Sequence, residues 1–375
     1  MTRTRFNLLH AKTMPPLFSS HTESDNPSTS LPTRLHGQRV TLAHGGGGKA
    51  MRDLIEQVFI RTFQHPLATA MEDQARLSLP ELGNLGSHLA MTTDTFVVHP
   101  LFFPGGNIGE LAVNGTVNDL AMCGARPVYL SCAMVIEEGL EIETLFALAQ
   151  SMKTAADCAG IGIVTGDTKV VERGAADKLF INTTGIGVIP NGIAISGHRA
   201  QPGDAVIVNG HLGDHGVAIL LARNELALEA GVESDTQPLH GLVETMLTCC
   251  KDIHCLRDAT RGGLATVLNE LAHASHVSIQ VKESALPIRE SVRGACEILG
   301  LDPLYLANEG VLAAIVPPEK AENLVKVMRN HPAGQQSAII GHVKEPSTGR
   351  VTLSTTFGGM RIMDMLVGEQ LPRIC

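Results

Sequence analysis

The chain has no tryptophan, two tyrosines and only 3% aromatic residues over 375 positions, so its core has to be built from Leu, Ile, Val and Ala. It has no surplus of positive charge: 29 Lys and Arg stand against 38 Asp and Glu, a net charge of −9. That balance opposes a nucleic-acid partner, whose phosphates call for clustered cations. No apolar run comes near the ~18 residues that span a bilayer, and the start lacks the hydrophobic stretch of a secretory signal. No membrane association is expected. Nor is there a disulfide framework: the cysteines at 123, 132, 158, 249, 250, 255, 296 and 375 are irregularly scattered, which suits a reducing cytoplasm.

What is present suffices for a folded protein. Hydrophobic residues make up 44% and charged residues 18% of the chain, and 375 residues exceed the ~250 to 300 that one core accommodates, so two domains are expected. Residues 1–36 are rich in Ser, Thr, Pro and Arg without an apolar period and read as a disordered leader. A misassigned start is one alternative, and an organelle transit peptide another, which Glu23 and Asp25 oppose. From 37 to 190 strand-like runs alternate with helical ones: Val40–Ala43, a helix from Lys49, a strand ending at Asp94, then the run Ile108–Met122. Strands at Val128–Ile136, Ile161–Val164 and Leu179–Ile189 follow, with a helix at Ile142–Cys158. Pro and Gly punctuate 191–203, and a second domain over 200–350 mixes strands with helices. Its strands are expected at Ala205–Asn209, Val277–Val281, Val311–Val316 and Ala338–Val343. The fold class is α/β (α+β). Residues 355–375 end in Leu371-Pro372-Arg373-Ile374-Cys375 and read as a flexible arm, because proline disfavours helix.

Several constellations carry chemistry. His44-Gly45-Gly46-Gly47-Gly48-Lys49 lies between an expected strand and helix, where bare amides and a helix N-terminus suit a phosphate; the alternative is a flexible turn. Asp94, Asp119 (after Asn118) and Asp167 (before Thr168 and Lys169) supply the carboxylate oxygens that Mg²⁺ selects, with phosphates and water completing its shell. Singly, each suits a turn or a cap. Asp214 and Asp258 head glycine-bounded segments that face a cleft or merely cap helices. Glu309, in Asn308-Glu309-Gly310, is a candidate base or a turn residue. Cys249, Cys250, His254 and Cys255 suggest zinc, but neighbouring cysteines diverge on a helix and read better as small hydrophobes. Cys375 stands apart as a terminal nucleophile on an arm no core needs. Arg373 either steers that arm towards an acidic partner or is solvated.

Taken together, Leu42-Ala43-His44-Gly45 through Met51, Pro104 through Gly109, Thr165 through Val171, Asp258 through Gly263, Asn308-Glu309-Gly310 and the Pro372–Cys375 ending resemble the HypE family of hydrogenase maturation factors. That family lies within the aminoimidazole ribonucleotide synthetase-like ATP-binding superfamily, and the resemblance runs from about residue 39 to the end. It implies an N-terminal domain that binds ATP and dimerises through its β-sheet, a C-terminal α/β domain and a mobile tail. It further implies that a separate carbamoyltransferase loads Cys375, that ATP with Mg²⁺ drives dehydration of the carbamoyl group to a thiocyanate, and that an iron-carrying maturation complex takes the cyanide. Carried over by motif, Cys375, Lys169 and Glu309 are catalytic, and Asp94, Asp119, Asp167 and Asp258 hold metal. His44 to Lys49, Asp94, Asn118, Asp119, Asp167 and Thr168 hold the nucleotide. Two readings compete. A small-molecule kinase of the same superfamily would keep its ATP turnover without Cys375, and a nucleotide-binding scaffold would need no Lys169 and Glu309.

Overall fold

A computed structural model describes residues 30–69, 71–223, 231–345, 349–368 and 371–375, and Leu31–Cys375 forms one compact unit. Most of the expected leader, 1–29, lies outside the described residues. The remainder of it does not behave as a leader: Leu31 and Leu35 are buried in the first core, so packed chain begins several residues before the expected boundary.

The N-terminal half is a four-stranded sheet under helices. A helix, α1 (Lys49–Leu54), continues through a wider π turn to Phe63 and is followed by β1 (His88–Phe96), α2 (Ile108–Met122) and β2 (Arg126–Glu137). Then come α3 (Ile142–Ala159), β3 (Gly162–Val171) and β4 (Leu179–Ile189). The strand order is β1-β4-β2-β3, antiparallel except for the β2–β3 pair. Helix α2 is apolar nearly all round and is therefore buried nearly all round. Asn107 starts it, its side chain accepting from the amides of Gly109 at 2.9 Å and Glu110 at 3.1 Å. The expected strand Val40–Ala43 is not one. Only Arg39 bridges to Glu141, and Leu42–Gly45 is a 3₁₀ turn.

Alternation along the strands gives this sheet two unlike faces. Thr92, Asp94 and Phe96 point to α2, whereas Met91, Thr93 and Thr95 point away, Met91 being 74% exposed. The outer face carries Leu89, Met91 and Val135 uncovered by any described element.

The C-terminal half holds β5 (Ala205–Val208), α4 (Asp214–Ala222), α5 (His240–Cys249), β6 (Cys255–Asp258), α6 (Gly263–Ala274) and β7 (Ser278–Lys282). It continues with α7 (Glu290–Leu299), β8 (Leu312–Val316), α8 (Pro318–Arg329), β9 (Ala338–Lys344), β10 (Val351–Ser354) and β11 (Met360–Met363). The seven-stranded sheet runs β11-β10-β7-β9-β5-β8-β6, with one parallel pair, β10–β7. The expected arm therefore starts later than 355, because Met360–Met363 is an edge strand. Helix α2 also packs against β6 and α5, tying the two halves together. Among the described residues no helix is long and apolar enough to cross a membrane.

Candidate functional site

Where α2, β1 and β6 meet, carboxyl groups from distant parts of the chain face one recess. Asp94 comes from β1, Asp119 from α2, Asp258 from the end of β6, and Glu309 and Asp235 from two loops. Burial raises the Asp94 carboxyl, opposed by its hydrogen bond from the Thr95 amide at 2.7 Å. Burial also raises Asp119, with the charge of Asp94 adding and a 2.8 Å hydrogen bond from the Thr92 hydroxyl opposing. Asp258 is pushed up to about 7 by burial, then by Asp119 and Asp94. Glu309, only 3% exposed, is held well above the carboxylate range by burial and by Asp235, Asp258 and Asp94. Its Oε1 has no hydrogen-bond partner.

Such a cluster is costly unless a cation joins it. Among the described residues no three His, Cys, Asp or Glu side chains converge closely enough to make a metal cage alone. Mg²⁺ requires none, since it binds through one or two carboxylates and fills its shell with phosphate oxygens and water. The orphaned Glu309 oxygen and the mutually raised carboxyls fit a cation arriving with phosphates.

Capping does not explain Asp214 or Asp258, because α4 and α6 begin at Gly213 and Gly262 without side-chain caps. Asp214 instead accepts from Arg289 at 2.8 Å. Asn118, expected at the nucleotide, has another task. Its Nδ2 donates to the carbonyls of Gln237 at 3.0 Å and Glu309 at 3.3 Å, and its Oδ1 accepts from Leu239 at 2.7 Å, so it fixes the loops that carry the acids.

Asp167, Thr168 and Lys169 are not in this recess. The cross-strand register runs Asp167–Ala133–Asn182–Thr95, which sets Asp167 three strand spacings, roughly 14 Å, from β1. It also puts Asp167 on the outer face with Thr95, whereas Asp94 is on the inner one. Asp167 pairs with Lys169 at 2.5 Å. The glycine loop lies at this same edge: a side chain at Gly45 would meet Val170 at 2.9 Å. Gly48 starts α1, His44 Nδ1 is tied to Thr41 at 3.0 Å, and Gly46, Gly47 and Lys49 are exposed. Beside them a cavity of about 200 Å³ is lined by Ile55, Phe59, Met134, Asp167 and Thr168, whose buried hydroxyl lacks a partner. The acids and the glycine loop thus lie towards opposite edges of one sheet.

The C-terminal arm is docked at the acidic half. The Val97 amide, just past β1, donates to an oxygen of the Cys375 terminal carboxylate at 3.0 Å, and the buried Ile374 joins the first core. Arg373 pairs with Asp177 at 2.6 Å and lies over the Phe180 ring, with its side chain 39% exposed. His254 is likewise committed, to Asp204 at 2.7 Å. Sequence reasoning passed over Asp235, His215, Arg223 and Asp177, isolated polar residues without motif or spacing; His215 alone fell inside a flagged segment.

Comparison with known proteins settles the family. The AIR synthase related protein N-terminal domain matches residues 71–189 and the corresponding C-terminal domain residues 201–354. Carbamoyl dehydratase HypE of Azotobacter vinelandii is 52% identical over 341 residues, covering 91% of this chain and 98% of its own. The chain belongs to the HypE family. A crystal structure of HypE in complex with ATP superposes with a TM-score of 0.85 at 52% identity, covering 89% of this chain and 99% of that one. HypE in a HypE–HypF complex superposes with a TM-score of 0.73 at 46% identity, covering 84% and 99%. The fold seen here is thus the HypE fold.

Proposed function

We propose that the protein is an ATP-dependent carbamoyl dehydratase of [NiFe]-hydrogenase maturation whose substrate is an S-carbamoyl group on its own Cys375. The observation that carries this reading is the seat of the arm: an oxygen of the Cys375 terminal carboxylate accepts from the Val97 amide, the residue that follows the strand carrying Asp94. That bond holds the terminus at the end of the strand that carries Asp94, roughly 10 Å of extended chain away, within reach of a small swing of the arm. The HypE relatives named as carbamoyl dehydratases and the HypE structure with ATP support it.

The chemistry follows from a poor leaving group. The carbamoyl oxygen attacks the γ-phosphorus, ADP departs, and the oxygen becomes a phosphate ester. One N–H proton is lost as the imidate forms. Loss of the second, with cleavage of the C–O bond, expels phosphate and leaves R–S–C≡N. Mg²⁺, held by one or two of Asp94, Asp119 and Asp258 and otherwise by phosphate oxygens and water, would neutralise phosphate charge. Glu309 takes the first proton and the second leaves with the phosphate as hydrogen phosphate; burial and neighbouring acids make the Glu309 carboxylate more basic than a solvated one.

Asp167, Thr168, Lys169 and the glycine loop join the recess only from a second subunit. The outer sheet face, with Leu89, Met91 and Val135 bare, is the surface through which a homodimer would form. Each ATP then lies between one subunit's glycine loop and the other's acids. A carbamoyltransferase of the HypF kind loads Cys375, in keeping with the HypE–HypF complex, and an iron-carrying maturation complex takes the cyanide. None of the eight cysteines is joined in a disulfide, in keeping with a reducing cytoplasm.

The test is to weigh the C-terminal peptide after incubation with the carbamoyltransferase, carbamoyl phosphate, Mg²⁺ and ATP or a non-hydrolysable analogue. A carbamoyl adduct on Cys375 that loses one water only with hydrolysable ATP is the expected result. An unmodified Cys375 beside a demonstrably active partner overturns the reading.

A further inference from the structure

The arm is held mostly by its backbone. Arg223 Nη2 donates to the carbonyls of Pro372 at 2.9 Å and Arg373 at 2.7 Å. The Arg373 carbonyl also accepts from the His99 amide at 3.4 Å, and an oxygen of the Cys375 terminal carboxylate from the Val97 amide at 3.0 Å. The Ile374 carbonyl lies 2.8 Å from His215 Nε2. A carbonyl only accepts, so Nε2 carries the hydrogen. Nδ1 is then the acceptor for the Ser234 hydroxyl at 2.8 Å. Every carbonyl from Pro372 to Ile374, and one oxygen of the terminal carboxylate, thus meets a donor on the body of the protein.

Two side chains supply selectivity. Arg373 bonds Asp177 and also donates to the Val97 carbonyl at 3.1 Å, while Ile374 is 96% buried, its exposure being 4%. Arg223 is itself anchored to the His99 carbonyl at 2.8 Å, and His215 packs edge-on against Phe103 at 5.6 Å. The groove's donors are therefore fixed by the body and not by the arm they hold.

We propose that the body is a peptide-binding site, one that accepts in trans a free short peptide with a C-terminal carboxylate, a branched apolar residue next to last and Arg before it. Extended backbone caught by fixed donors, with alternate side chains read in pockets, is a general mode of peptide recognition. Covalent attachment of the arm then serves to raise its local concentration, to the millimolar range for a short tether. His215 and Arg223 are positioning residues in this site.

The measurement uses full-length protein carrying Arg373→Ala and Ile374→Ala, which weakens its own arm and leaves the groove intact. The probe is fluorescein-labelled Leu-Pro-Arg-Ile-Ser, followed by anisotropy without ATP or any carbamoyl group, so the result is independent of the dehydratase reading. Saturable binding is expected, weakened about tenfold or more by adding His215→Ala or Arg223→Ala, or by Ala in place of the peptide's Arg or Ile. His215→Gln, which keeps a donor near Nε2, should stay within about threefold. Binding no tighter than that of a scrambled peptide overturns the proposal. Should the doubly substituted chain fail to fold, the unaltered protein serves. Unlabelled peptide at about 10 mM must then speed alkylation of Cys375 by displacing the arm, and an unchanged rate likewise overturns the idea.

Discussion

Asp235 grips two successive backbone amides with its two oxygens: Oδ1 accepts from Glu309 and Oδ2 from Gly310, each at 3.0 Å. Glu309 is thereby held from outside its own loop, and Asn118 holds its carbonyl from α2. Asp235→Asn turns an NH₂ group on one of those amides and leaves it without an acceptor. The expected cost is about 1 to 3 kcal/mol of stability. Dehydration of S-carbamoyl Cys375 should slow by roughly 10- to 100-fold as the proton acceptor loses its place, with ATP affinity retained. Rapid quench followed by mass spectrometry reads the rate, and a wild-type rate would detach Asp235 from Glu309's role.

The neutral state of His215 has a consequence in pH. Burial pulls its pKa from 6.5 to about 4, with the Ile374 carbonyl opposing and the Arg223 charge assisting. The folded protein thus prefers the neutral ring. This contribution to stability is complete above 6.5 and is lost as pH falls through about 4. Its full size is on the order of 3 kcal/mol, of which about 2 kcal/mol has gone by pH 5. In His215→Gln, which cannot titrate, the melting temperature should fall less between pH 7 and 5, by roughly 4 to 8 °C. Parallel curves for the two proteins would count against a buried neutral ring.

Much of the scaffold could be read from periodicity. The runs Ile108–Met122 and Leu179–Ile189 are α2 and β4 to the residue, because long, uninterrupted apolar patterns leave little choice. Val40–Ala43 looked equally strand-like, but no neighbouring strand offers it a ladder. The site divides along the same line. Alternation tells that Asp94 and Thr95 face opposite ways, yet nothing local tells that β3 and β1 are opposite edges of the sheet. Strand order is a long-range property, so Asp167 and Lys169 were grouped with acids they do not approach. Asp235 and Arg223 act through backbone groups far along the chain, which leaves no spacing to detect.

The close contact of α2 with β1 rests on a missing side chain. A Cβ at Gly115 would lie 2.9 Å from the ring of Phe96, a residue 1% exposed and two positions from Asp94. Gly115→Ala gains helix propensity but overpacks the core, for a net loss of about 1 to 3 kcal/mol. Phe96 is fully packed, so the ring is expected to carry β1 with it, and Asp94 with β1. Thermal unfolding should register the loss, and Mg²⁺-ATP affinity should weaken more than in a remote variant of equal stability. Unchanged affinity at reduced stability would make Gly115 a packing residue alone.

The proposal that a second subunit completes the site makes a prediction that no single substitution can. Asp94→Asn removes an acid from the recess, and Asp167→Asn breaks the pair with Lys169 on the far edge. If each chain completed its own site, a mixture of the two variants would remain as inactive as either alone. If a site takes its recess from one subunit and its glycine-loop edge from the other, a mixed dimer has one site with both defects and one with none. Random pairing makes about half the dimers mixed, so refolded or co-expressed mixtures should regain about a quarter of wild-type dehydration. Mixing after each homodimer has formed should restore activity only as fast as subunits exchange. Failure to complement in demonstrably mixed dimers would return Asp167 and Lys169 to a structural role at the sheet edge and leave the acids to act within one chain.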